Sequence, residues 1–261
     1  MKLLDLFKPN HKVSKNSFLI MVGIQLMFVV GYWFMGKSTY FPTPIEIINA
    51  FVNLYQNEDL LPELWASTTL AIEAVIITTI ISLIISYANI FPFFRPFTYL
   101  VSKFRFLSLV GLSFLFTMMT SSGHELKVSL LVFGMSVFFV TSFTEVITSI
   151  HREEFIHART LRMNEWRVVY EVIILGKLDM AFEVIRQNFA IAWMMLTMVE
   201  GLSRADGGIG TLLLNQNKHF ILPAVFAIQI TIFLIGIIFD YFFGVAKDFL
   251  FPYSCLTKEH K

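Results

Sequence analysis

Apolar runs of about twenty residues alternate with short polar connectors along this chain, and that alternation sets the fold class. The runs are Phe18–Gly36, Leu64–Ile90, Tyr99–Thr120, Leu126–Ser149, Ala181–Leu202 and Phe220–Gly244. A helix rises about 1.5 Å per residue, so each run is long enough to cross ~30 Å of hydrocarbon. The pattern predicts an all-α integral membrane protein with about six transmembrane helices. Lys103 and Arg105 stand near the start of the third run. Their stems can lie in lipid while their charges reach the headgroups.

The connectors carry their own signals. Tyr40-Phe-Pro-Thr-Pro44 cannot continue a helix, and it predicts an extended link after the first run. Ile45, Ile47, Ile48, Phe51, Val52, Leu54 and Tyr55 then recur at helical spacing among Glu46, Asn49, Asn53 and Gln56, which predicts a short amphipathic helix. Phe91-Pro-Phe-Phe-Arg-Pro96 predicts a tight turn between the second and third runs. The longest connector covers residues 151–180. Phe155, Ala158 and Leu161, then Trp166, Val169 and Ile173, step by three and four among charges. Two short amphipathic helices hinged near Met163-Asn164 satisfy that pattern. They could lie on lipid, or they could dock a protein. The acidic residues Glu153, Glu154, Glu165 and Glu171 among the basic ones favour a protein partner over anionic lipid.

Composition agrees: 56% of residues are hydrophobic, 29 are phenylalanine, and mean hydropathy is +0.69. A soluble core could absorb much of this, but not six such runs. Charge placement sets the orientation. Of the 20 basic residues, all but Lys37, Lys127, Arg204 and Lys218 fall on alternate segments starting with the amino terminus. That bias predicts both termini in the cytoplasm. The formal net charge of +1 conceals it and offers nothing for nucleic acid. The first run is too long for the core of a signal peptide, and Tyr32, Trp33 and Phe34 make a poor cleavage site. The organisation expected is a basic segment 1–17, a membrane domain 18–250 and a tail 251–261. Cys255, the single cysteine, excludes a disulfide within the chain.

Candidate chemistry is sparse. Gly31-Tyr-Trp-Phe-Met-Gly-Lys-Ser38 matches the phosphate-loop pattern by letter. A phosphate loop follows a strand and opens a helix, whereas this segment follows a membrane run and leads into prolines, so the match is rejected. Gly207-Gly-Ile-Gly210 has no strand before it and reads as a flexible turn ahead of a re-entering segment. The six histidines form no metal-ligand pair, and no serine, histidine and acid share a neighbourhood. No catalytic residue, metal or cofactor is expected; the chain reads as a non-enzyme.

Charges inside the runs say more. Glu73, Glu145, Arg186, Glu200 and Asp240 fall at or near lipid depth, where an ionised group needs a partner or water. Arg186, Ala190, Trp193, Thr197 and Glu200 share one face of the fifth run, with Gln187 and Asn188 beside it. Arg186 and Glu200 stand about 21 Å apart, too far to pair with each other. Either the stripe faces an interior or aqueous path, or its ends reach opposite interfaces.

Ala158-Arg-Thr-Leu161, Trp166, Val172-Ile-Ile-Leu175, Arg186, Ala192-Trp193, Glu200 and Gly207 to Gly210 come in a recognisable order. So do Phe41-Pro-Thr-Pro-Ile-Glu46 and Gly123-His-Glu-Leu-Lys127. Over residues 40–250 the chain resembles the inner-membrane permease subunits of ABC importers of the nitrate, sulfonate and taurine type. The resemblance implies a cytoplasmic coupling helix between the fourth and fifth spans, here Phe155, Ile156, Ala158, Arg159, Thr160, Leu161, Arg162 and Trp166. It also implies a translocation path including Arg186, Gln187, Asn188, Trp193, Thr197 and Glu200. The family's Glu-Ala-Ala, three residues, Gly signature falls on Ile156-His157-Ala158 and Arg162, where only the second alanine survives. The proline expected after the apolar run is replaced by Leu175-Gly176.

The implied partners are separate ATP-binding cassette ATPase subunits, an extracytoplasmic solute-binding protein, a second permease copy and membrane lipid. The location implied is a bacterial inner membrane, and the solute a nitrate, sulfonate, taurine or vitamin precursor. A secondary, ion-coupled transporter would need paired repeats and broken midspan helices, which the pattern lacks. A membrane scaffold that moves nothing is the other alternative, kept open by the degenerate coupling signature.

Overall fold

The computed structural model describes residues 15–35, 41–203 and 207–253. Lys2, Lys8, Lys12, Lys37, Arg204, Cys255, Lys258 and Lys261 lie outside them, as does the Gly36-Lys37-Ser38 end of the phosphate-loop match. The described residues form helices and turns with no strand.

Eleven α-helices are described: α1 Lys15–Met35, α2 Pro44–Asn57, α3 Leu60–Ala88, α4 Arg95–Lys103, α5 Leu109–Met119, α6 Gly123–Thr148, α7 Arg152–Thr160, α8 Glu165–Val168, α9 Leu178–Leu202, α10 Ile209–Lys218 and α11 Leu222–Leu250. A π-helical turn, Val169–Ile174, and a 3-10 turn, Leu175–Lys177, join α8 to α9. Three of these helices, α3, α6 and α11, are long and apolar enough to cross a membrane. The chain is a membrane-embedded helical protein. In α1, Ser17–Phe28 is an apolar segment of shorter length. The α9 helix is long, but Asp179, Glu183, Arg186 and Glu200 lower its hydropathy.

The third run departs from the expected single span. Arg95–Phe106 and Leu109–Met119 are bent by 111° at Leu107-Ser108, whose backbone is extended. The charges explain the bend. A straight helix would draw Lys103 and Arg105 into hydrocarbon, whereas a bent one leaves α4 amphipathic and free to lie in the interface. Elsewhere the elements follow the pattern closely. Thr43 caps α2 through the backbone N–H of Glu46, and the Glu46 carboxylate accepts from the Thr43 N–H, a reciprocal capping box. Pro96 opens α4 after the tight 89–94 turn.

The core joins α3, α6 and α9. Ser67, Ala71, Ala74, Thr78, Ser82 and Ser86 recur at three- to four-residue steps on α3 and are buried. Small side chains let helix backbones approach closely where no water drives them together. Gly134 does the same for α6 and α9, since a Cβ there would overlap the Met195 side chain. Towards the α7–α8 end, Phe139 and Phe143 of α6 fill a second cluster with Ile173, Ala181 and Val184. The α3 and α6 helices run in the same direction: Glu73 meets His124, and Tyr87 meets Phe143. The α1 helix stands off, exposed along most of its length. It is tied at its end by the Trp33 indole, which donates to the Pro42 carbonyl at 3.1 Å.

Candidate functional site

The Gly207–Gly210 turn is held by hydrogen bonds from distant helices. Gly210 lies against Thr197, and Gly201 against Leu214, at the same sequence offset. The chain therefore doubles back after α9, and α10 runs beside it in the same direction. Three successive N–H groups at the start of α10 are satisfied by side chains from other helices. The Gly208 N–H donates to Glu63, the Ile209 N–H to Ser67 Oγ at 2.8 Å, and the Gly210 N–H to Glu200 Oε2 at 2.7 Å. The Ser67 hydroxyl in turn donates to Glu200 Oε1 at 2.6 Å. Lys127 Nζ donates to the Gly207 carbonyl at 2.8 Å. Two carboxylates thus meet the positive end of a helix, with a buried ammonium beside them. Gly207 and Gly208 have φ 67° and 112°, and a Cβ at either would overlap Glu63 or Glu200.

Farther along the same face of α9 a groove opens against α11. Arg186 makes a fork-to-fork pair with Asp240, both N–H···O contacts at 2.7 Å. Glu183 accepts from Lys247 Nζ at 2.7 Å and lies 3.9 Å from Arg186. Beyond this pair, Ala190, Trp193, Thr197, Gln229 and Gly236 line a recess of about 520 Å³. A second recess of about 450 Å³ shares Thr197 and Gln229 and continues past Gly201 to Asn217. The Trp193 indole donates to the Ile232 carbonyl at 2.9 Å, which fixes the ring as one wall.

The six candidate path residues are therefore divided. Arg186, Trp193 and Thr197 line the groove. Gln187 is exposed off that face. Asn188 is buried, donating to the Val184 carbonyl. Glu200 is only 1% exposed and turned to α10. The stripe is continuous on the helix, yet α10 covers its far end and takes Glu200 out of it.

In the 151–180 connector, Asn164 caps α8 through the Arg167 N–H, matching the expected hinge. Arg159 pairs with Glu165 through two hydrogen bonds of 2.9 and 3.0 Å, and this pairing holds the Glu165 carboxyl below its ordinary range. Ala158 is 5% exposed. Phe155 packs on the α6 cluster. Ile156, Leu161 and Trp166 stand out, Trp166 at 71% exposure, and its ring meets Phe91 of the α3–α4 turn. Thr160 returns its hydroxyl to the His157 carbonyl. Arg162 takes φ 55° at the end of α7. Phe155 is thus half-buried, because its helical position faces the bundle.

No family model and no curated protein matches the chain. Sequence reasoning missed Ser67 as the partner of Glu200, and Glu63 and Lys127 as partners of the glycine turn beside it. The available signal was the demand that each lipid-depth charge find a partner. Asp240 was visible as such a charge, but its pairing with Arg186 needed the α9–α11 crossing.

Proposed function

We propose that this chain is the permease subunit of an ATP-driven ABC importer, with six spans in a bacterial inner membrane. Both termini and the α7–α8 loop then face the cytoplasm. The observation that carries the reading is the backbone of Arg162. Where the family's coupling signature has glycine, this chain has an arginine that still takes the left-handed conformation glycine favours. Four residues earlier, at the second alanine of the signature, Ala158 is buried as a small side chain must be. A left-handed residue at the glycine position and a buried alanine four residues before it support placing the signature here.

In this reading Ile156, Leu161 and Trp166 dock a separate ATPase subunit, and α7–α8 carries its motion into α6 and α9 through Phe155 and Ile173. A second copy of the chain closes the α9–α11 groove into a path. A binding protein on the other side delivers a small solute, and access alternates by rigid-body motion. An ion-coupled carrier must free a midspan carboxylate to titrate; Asp240 is tied to Arg186, and Glu63 and Glu200 to α10, which leaves Glu73 and Glu145 as its candidates. A scaffold is separated by experiment. Ile156→Asp with Leu161→Asp is expected to abolish co-isolation with an ATPase subunit while leaving helicity intact. A variant that still co-isolates and still stimulates ATP hydrolysis overturns the docking assignment. A native chain that co-isolates with no ATPase overturns the importer itself.

A further inference from the structure

A cavity of about 1010 Å³ lies between α4, the end of α6 and the α7–α8 loop. It is unlike the apolar recesses elsewhere. Arg95, Tyr99 and Ser102 of α4, with Arg105, form one wall, and Thr141, Thr144 and Thr148 of α6 form another. Arg159, Arg167 and Arg186 each face a carboxylate. Arg95 and Arg105 do not: among the described residues neither has an acidic partner. Arg95 reaches only the Asn89 carbonyl at 3.4 Å, and Arg105 only the Phe106 ring. The buried Thr144 hydroxyl oxygen, in the α6 wall, also lacks a partner. Within the same lining Arg159 is matched by Glu165, so the balance is two free guanidinium groups against the single carboxylate of Glu145.

We propose that this cavity binds a phosphate ester bearing free hydroxyls, the phosphate meeting Arg95 and Arg105 while the hydroxyls meet Glu145 and the threonines. Guanidinium groups favour phosphate because their planar donors make charge-assisted, paired hydrogen bonds. A hydroxylated ligand suits Glu145, which would repel a bare anion. Two sources share this chemistry: the headgroup of a glycerol-type anionic phospholipid, and a soluble glycerol phosphate. The first gains from α4, whose Phe97, Tyr99 and Leu100 are exposed on a helix suited to the interface. The site does not require that the α7–α8 loop dock an ATPase. It would link the position of that loop to whatever fills the cavity, since Phe155 and Arg159 line it too.

The test uses the purified full chain with no ATPase present. Nanodiscs of phosphatidylcholine, with or without phosphatidylglycerol, are followed by native mass spectrometry for retained lipid. Glycerol 3-phosphate binding is measured separately by calorimetry. Selective retention of phosphatidylglycerol identifies the lipid source, and saturable glycerol 3-phosphate binding identifies the soluble one. In either case Arg95→Gln with Arg105→Gln should weaken binding by about tenfold or more. Lys103→Gln, whose ammonium lies over the Tyr99 ring, should leave it unchanged. Ser102→Phe, which sets a ring into the cavity from its α4 wall, should also weaken binding and serves if the double variant does not fold. The proposal is overturned if neither probe binds, or if binding survives either the arginine replacements or Ser102→Phe.

Discussion

At the scale of single residues, Arg162 shows how a backbone demand can outlast the residue type that usually meets it. Its φ of 55° is uncommon for a side chain with a Cβ. Arg162→Gly should relieve that strain, offset in part by the looser unfolded glycine, for a net gain of about 0.5–1 kcal/mol in thermal denaturation of the purified chain. Nearby, Glu165 titrates below its ordinary range because Arg159 holds its charged form. A depressed folded pKa contributes stability above the unfolded value and loses it as pH falls through the folded one. Hydrogen exchange in the Leu161–Asn164 turn should therefore quicken as pH drops below the usual carboxylate range, after correction for intrinsic rates. In Arg159→Gln that transition should vanish, because the Glu165 carboxyl then titrates alike in the folded and unfolded turn.

At the scale of elements, the clamp on α10 and the α4–α5 bend were legible to different degrees. Proline punctuation and period placed α2, α7 and α8, because those signals are local. The bend at Leu107-Ser108 was hidden, since apolar residues continue on both sides of it and only Lys103 and Arg105 hint at the cost of straightness. The glycine turn was visible, but its hydrogen bonds come from Glu63, Ser67 and Lys127 on distant segments. Glu200→Gln keeps the volume but loses one acceptor, so either the Ser67 hydroxyl or the Gly210 N–H is left unpaired. A loss of about 1–3 kcal/mol is expected, read as an earlier melting of the chain in detergent. Lys127→Met in the Glu200→Gln background should cost less than in the native chain, because the carboxylate that compensates it has already gone.

At the scale of the whole molecule, the crossing of α9 and α11 is fixed by charge as much as by packing. Arg186 with Asp240, and Glu183 with Lys247, bind the two helices over two turns. Asp240→Asn should destabilise the pair by about 1–3 kcal/mol. The exchanged variant, Arg186→Asp with Asp240→Arg, should recover part of the loss. Equal melting of all three chains would remove the pair from the account of how α9 and α11 meet. The sequence showed that Arg186 and Glu200 each needed a partner. It could not say which, because those partners sit on other helices.

The bend in the third run has one more consequence. With α4 turned aside, α5 alone rises only about 16 Å, roughly half the hydrocarbon thickness. The hairpin it forms with α6 therefore stops short, level with Glu73, about 20 Å along α3 from its first residue. A wall lowered there would let water descend beside α3. The half-exposed Glu73 and His124 stand at the top of that hairpin, hydrogen-bonded to each other at 3.0 Å, where unbroken lipid would have been prohibitive.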